Sequence, residues 1–327
     1  MAYSLKVTVR SHARLHMGII DVNGGLGRLY GSLGLAILTP NVVVESSTSN
    51  EFLVEGKDKA RAKDAASKFF SHFGIEKRCH INIVTTIPAH VGLGSGTQLK
   101  LAVGRSLAKL FDLEISSIEI SRILGRGIVS GIGTALFEKG GFVVDGGVKY
   151  PINYGNSMPP PEIVRLEFPE DWHFIIAIPM NEKGLSDTAE ALAFEKLSSA
   201  QPEVVGQISR MLLMKMLPSI VEQDIAAFGS SLNAIQTLVG GCFSHLQGGT
   251  FAGSYVESIV KLMLDNGAYG AGQSSWGPAV YGVVKGTTDA KLLLGKVEAY
   301  LDTLSGGSVF FSKCTNNGAK VVVDQNL

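Results

Sequence analysis

Residues 88–98, Pro-Ala-His-Val-Gly-Leu-Gly-Ser-Gly-Thr-Gln, constrain this chain more than any other stretch. Ahead of them Ile81 and Ile83 alternate with polar residues, the pattern of a strand. Behind them Leu99, Val103, Leu107 and Leu110 recur every three or four residues, the pattern of a helix. Glycines at alternate positions therefore fall at a helix N-terminus. Without a Cβ they let the backbone approach a ligand, and the free N–H groups of the first turn, with the helix dipole, favour phosphate or diphosphate oxygens. An ordinary glycine-rich turn would use the same residues. Ser95 and Thr97, whose hydroxyls can cap the helix or touch an anion, favour the cradle. Lys100 does not complete a Walker A motif, and the glycine spacing is not a strict dinucleotide fingerprint. The stretch implies a phosphate without saying whose.

Three other glycine-rich segments share the chain with it. Residues 22–34 follow two expected strands joined by a polar bend, and their glycines surround Arg28. An Arg among glycines has few neighbours to pair with, and its planar fork suits a carboxylate or phosphate. The other two are 127–134 and 269–278. Periodicity puts helices at 57–73, 118–124, 185–197, 204–217, 220–239, 255–264 and 289–304, with strands at 142–145, 172–179, 279–284, 308–312 and 319–323. Strands and helices mixed without regular βαβ alternation indicate an α+β fold. The proline-rich stretch 151–161 is the natural linker, giving domains at 1–158 and 159–327.

Composition narrows the partners. Lys plus Arg equals Asp plus Glu at 29 each, and charged residues are only 18% of the chain. Such neutrality argues against a nucleic acid or an anionic membrane as the main partner. Cys79, Cys242 and Cys314 are too scattered for a disulfide framework or a Cys-x-x-Cys zinc site, which suggests a reduced, cytoplasmic setting. Unbroken apolar runs such as 174–180 are shorter than the roughly 20 residues of a spanning helix, so a soluble protein is expected.

Taken together, the P-x-x-x-G-L-G-S-[SG] loop at 88–96 and Gly-Ala-Gly at 270–272 resemble the GHMP superfamily of galactokinase, homoserine kinase, mevalonate kinase and phosphomevalonate kinase. The resemblance implies a ribosomal-S5-like N-terminal domain, a ferredoxin-like C-terminal domain and a ligand held between them. It also departs from the kinases. Where those with a catalytic Asp carry Ser-Gly-x-Asp, this chain has Ser130-Gly131-Ile132-Gly133. Glycine neither accepts a hydroxyl proton nor holds Mg2+. Homoserine kinases manage without that Asp.

Several sets are similar to a non-kinase branch, the beta-ribofuranosylaminobenzene 5'-phosphate synthases of methanopterin biosynthesis. They are Ala13-Arg14-Leu15-His16, Asp21-Val22-Asn23-Gly24 with Gly27-Arg28 and Gly31, Glu190, and Gly272-Gln273-Ser274-Ser275-Trp276-Gly277-Pro278. The resemblance implies condensation of 5-phosphoribosyl 1-diphosphate with 4-aminobenzoate, releasing CO2 and diphosphate, with Mg2+ and without ATP, in a homodimer. On that basis Gly92, Gly94, Ser95, Gly96 and Thr97 are expected to hold the diphosphate or the 5'-phosphate. Asp21 would face the metal or the ribosyl cation, and Arg28 a phosphate. His16 would donate a hydrogen bond, while Arg14, Gln273, Ser274, Ser275 and Trp276 bind substrate. Trp276 would equally serve as core, and His12 with His16, four apart on a strand, form no obvious metal pair. Asp145 reads as a turn residue. An ATP-dependent small-molecule kinase and a non-catalytic binder are the alternatives.

Overall fold

The computed structural model of the chain describes residues 4–76, 78–152, 158–180 and 200–326. The elements run β1 (Ser4–Asp21), β2 (Arg28–Thr48), β3 (Leu53–Gly56), α1 (Lys59–Phe73), β4 (Cys79–Thr85), α2 (Ser95–Leu110), α3 (Ser117–Ile123), α4 (Ile132–Lys139), β5 (Phe142–Asp145), β6 (Val148–Lys149), β7 (Glu162–Leu166) and β8 (Trp172–Pro179). Next come α5 (Pro202–Met211), a π-helical turn (Leu212–Met216), α6 (Leu217–Val221), α7 (Ile225–Gln247) and α8 (Ser254–Asp265). The chain closes with β9 (Gly270–Gln273), β10 (Val280–Lys285), α9 (Gly286–Thr303), β11 (Gly307–Lys313) and β12 (Lys320–Asn326).

Two sheets organise these elements. The first runs β12-β1-β2-β4-β3, with β5 and β6 also on β2 and β7 on β5. The second runs β11-β8-β10-β9. The expected division at 158/159 is crossed twice, because β7 and β12 lie beyond it and hydrogen-bond into the first sheet. β8 is buried throughout. The side-chain period of two sends Phe174 and Ile176 toward Phe228 and Leu232 of α7, and Ile175 and Ala177 toward Val256, Met263, Leu293 and Val297 of α8 and α9. Each of the larger side chains, Phe174, Ile175 and Ile176, fully buried, contributes ~1.5–3 kcal/mol.

Several local expectations change. The two strands expected over 6–21 are one strand, β1, which absorbs the polar bend as irregularities at His12/Ala13 and His16/Gly18. The loop expected over 22–34 ends at Gly27, and Arg28 begins β2. Gly34 is needed there because a Cβ would strike the Leu15 carbonyl across the strand pair. Ser95 and Thr97 do not cap α2; Gly94, at φ 78°, is its N-cap and no side chain caps the turn. Residues 202–221 are together long and apolar enough to cross a membrane by length and composition, at mean hydropathy 1.3. Glu203, Arg210 and Lys215 interrupt the stretch, so it holds no unbroken apolar run of that length. Ile208, Leu212, Met216 and Ile220 nevertheless pack into the core. The helix expected over 185–197, Glu190, and residues 153–157 of the proline-rich stretch lie outside the described residues.

Candidate active site

The two halves of the chain are locked where the turn after β9 meets the glycine loop. Ser274 Oγ donates to the Gly92 carbonyl at 2.7 Å and accepts from the His16 N–H at 3.0 Å. Ala279 N–H donates to Val91 O and Ser275 N–H to His16 O. Arg14 Nη1 donates to the same Gly92 carbonyl at 2.7 Å. Space explains the glycines. A Cβ on Gly92 would strike the Ser274 carbonyl, and one on Gly94 would sit 2.8 Å from Arg14 Cγ. Gly92, Gly94 and Ser274 thus act as joints of the inter-sheet lock. None of them, nor Ser95 or Gly96, lines the cavity beside the lock.

That cavity holds about 420 Å3, within the range typical of small-molecule sites. One half is cationic. Arg14 reaches it from β1, Lys100 from α2 and Arg126 from the turn before α4. Thr97 in the first turn of α2, and Ser130 and Gly133 at the start of α4, complete this half, so two positive helix ends add to the three cations. Arg126 Nε donates to Thr97 Oγ1 at 3.2 Å. Among the described residues lining the cavity there is no carboxylate. The remaining lining sets apolar Ile19, Val239, Phe243, Phe251 and Trp276 beside the uncharged polar groups of Gln236, Gln247 and Thr250. Phe243 and Trp276 pack edge to face with centroids 5.1 Å apart.

His16 lies on the cavity wall, 7% exposed. Burial, and secondarily the Arg14 charge, push its pKa down to about 3, so the imidazole is neutral and acts as a hydrogen-bonding group rather than a cation. Gln273 also lines the cavity, but its amide is occupied. Oε1 accepts from Ala252 N–H at 2.9 Å and Nε2 donates to Gly277 O at 3.1 Å.

The cavity brings together Arg14, His16, Thr97, Gln273, Ser275 and Trp276 from the sequence reading, and it leaves out Asp21 and Arg28. Asp21 Oδ1 accepts from the N–H groups of Asn23 at 2.6 Å and Gly24 at 3.0 Å, closing the loop that follows β1. Arg28 is not short of partners, contrary to expectation. Its Nε donates to Gly146 O at 2.6 Å and its Nη2 to Gly147 O at 2.7 Å. Among the described residues no group of three acidic, His or Cys side chains is placed to hold a metal ion. Lys100 and Arg126 escaped the sequence reading. Arg126 stands between Gly125 and Gly127, the same signal that drew attention to Arg28. Lys100 lies one turn after Thr97, on the same helix face.

Known proteins share the two-domain architecture that carries this cavity. The profile of the GHMP kinases N terminal domain matches residues 60–141, and that of the GHMP kinases C terminal domain matches residues 216–303. The beta-ribofuranosylphenol 5'-phosphate synthase of Methanothermobacter thermautotrophicus is 36% identical, over 97% of this chain and 99% of its own. The synthase of the same name from Methanocaldococcus jannaschii is 33% identical, over 96% and 99%. The crystal structure of homoserine kinase from Cytophaga hutchinsonii superposes with a TM-score of 0.67 at 19% identity, over 98% of this chain and 97% of that one.

Proposed function

The chain belongs to the GHMP kinase family, and from that premise we propose that it is a ribofuranosyl 5'-phosphate synthase. It joins C1 of 5-phosphoribosyl 1-diphosphate to the ring of a benzoate, with release of CO2 and diphosphate. The observation that carries this reading is one cavity whose cationic half suits phosphate groups and whose aromatic half suits a flat ring. The relatives' name carries a phenol, and the sequence resemblance an aminobenzene. Both products come from a benzoate with an electron-donating para group, hydroxyl or amino.

The chemistry matches what the lining offers. As the C1–O bond to diphosphate breaks, its electron pair leaves with the diphosphate and an oxocarbenium-like centre remains. The ring carbon bearing the carboxylate, made electron-rich by the para group, attacks C1. Its bond to the carboxylate then breaks, the electrons return to the ring and CO2 departs. No proton leaves that carbon, so no strong base is required, which makes Gly133 at the kinase Asp position intelligible. Arg14, Lys100 and Arg126 hold the phosphates and stabilise the leaving charge, and the helix ends at Thr97 and Gly133 add to them. Neutral His16 donates a hydrogen bond to a phosphate oxygen. Trp276 and Phe243 exclude water from the ribosyl centre and orient the ring.

The described lining holds no carboxylate for Mg2+. The ion is therefore taken to arrive with the diphosphate rather than to reside in the protein, and no step is routed through it. The reading also includes the cytoplasmic homodimer that the resemblance implies. Incubation with 5-phosphoribosyl 1-diphosphate, Mg2+ and 4-hydroxybenzoate or 4-aminobenzoate tests it, with diphosphate release expected. Diphosphate formed at the same rate without a benzoate would remove the synthase assignment.

A further inference from the structure

We propose that Asp145 is the positioning residue for the cavity wall at 128–133. Its carboxylate is fully buried at the end of β5 and does not line the cavity. Oδ1 accepts from Ser32 N–H at 3.0 Å and Gly147 N–H at 2.9 Å. Oδ2 accepts from Gly131 N–H at 2.8 Å and Ser130 Oγ–H at 3.4 Å. These donors come from β2, from the turn after β5 and from the entry to α4. None of them is charged, so the group bears the desolvation cost of a buried carboxylate without a cation to offset it, and burial pushes its pKa up.

What the bonds hold in common is position. Gly131 is the N-cap of α4, and the two residues that this helix entry presents to the cationic half, Ser130 and Gly133, lie on either side of it. Asp145 therefore sets where a positive helix end points relative to β2. Arg28 completes the arrangement from the opposite side. It grips the carbonyls of Gly146 and Gly147 while Asp145 takes the Gly147 N–H. Arg28 and Asp145 clamp one turn between them, and the glycine-rich loop before β2 is tied to the cavity wall through that clamp. Arg28 thereby acts on the site without entering it. A displacement of ~1 Å at such a wall is enough to cost ~100-fold in rate.

The inference rests on the synthase reading only for its kinetic readout. Asp145→Asn preserves size and the Oδ1 bonds but turns an amide N–H2 against the Gly131 N–H. Hydrogen exchange of the ligand-free protein is expected to speed up in 128–133 while the β8–β10 pair exchanges as before. The kcat with 5-phosphoribosyl 1-diphosphate and 4-hydroxybenzoate is expected to fall at least about tenfold. Unchanged exchange in 128–133 overturns the proposal, and so does faster exchange there with unchanged kcat. If the Asn variant does not fold, Arg28→Lys decides. An ammonium offers its donors from one atom and cannot reproduce the two separated, parallel bonds that Nε and Nη2 make, so exchange in 128–133 should again rise, and parent-like exchange there overturns the clamp. A wild-type protein without synthase activity would remove the functional reading and leave the exchange test standing.

Discussion

Gly133 faces Thr97 so closely that a Cβ on the glycine would lie 3.1 Å from Thr97 Cγ2. The two residues bring the first turns of α4 and α2 together on the cationic side of the cavity. Gly133→Asp would place a carboxylate there at modest structural cost, since Thr97 needs to yield by tenths of an ångström and an acidic residue suits a helix first turn. It is expected to raise the KM for 5-phosphoribosyl 1-diphosphate by at least about tenfold through charge repulsion. It should not confer phosphoryl transfer from ATP. Steady-state kinetics with both co-substrates check this.

Lys100 and Arg126 are expected to separate the two substrates. Alanine at either removes a charge-assisted contact worth ~1.5–3 kcal/mol, or about 10–100-fold in the KM for 5-phosphoribosyl 1-diphosphate. The KM for the benzoate should change far less. Arg126→Lys should recover only part of the loss, because an ammonium cannot hold Thr97 Oγ1 and a phosphate with one planar fork. Equal effects on both KM values would place these residues elsewhere in the mechanism.

Trp276 should show the opposite selectivity. Trp276→Ala forfeits the edge-to-face pair with Phe243, ~0.5–1.5 kcal/mol of stability. It is expected to raise the KM for the benzoate about tenfold or more, the scale of one large apolar contact. Trp276→Phe should keep most of the binding. Calorimetric melting and substrate-by-substrate kinetics distinguish the site role from a purely structural one.

His16 makes stability depend on pH. Its pKa in the folded chain is about 3, below the ordinary 6.5, so the unfolded chain binds the extra proton first as pH falls. The contribution is fully present above pH 6.5 and is lost progressively below it, with a slope approaching about 1.4 kcal/mol per pH unit. His12 is also lowered, by burial first, and adds a slope of the same sign. Urea titrations of wild type and His16→Gln between pH 4.5 and 7 isolate the His16 part. The variant should show the shallower dependence, and parallel curves would contradict a buried neutral His16.

Much of this was legible in the chain, and what escaped has physical reasons. The glycine loop announced a helix start, and β8 announced a strand buried on both faces. The role of Gly92 was hidden because its neighbours Ser274 and Gly277 lie far along the sequence and only the folded lock brings them within contact. Arg28 and Arg126 carry the same local signal, an Arg close to glycines. Local sequence cannot tell them apart, because tertiary carbonyls at 146 and 147 claim Arg28 whereas the turn at 125–127 delivers Arg126 to the cavity. The pairing of β12 with β1 joins the two ends of the chain, a contact that no window of local periodicity contains.

The central claim is that bond formation at ribose C1 proceeds with loss of the carboxylate. Its most direct measurement is a single-turnover reaction with carboxyl-labelled 4-hydroxybenzoate or 4-aminobenzoate and 5-phosphoribosyl 1-diphosphate. Labelled CO2, diphosphate and C-riboside 5'-phosphate are expected in equal amounts. A riboside that retains the label, or ADP formed from ATP with no CO2 released from the benzoate, would contradict the account.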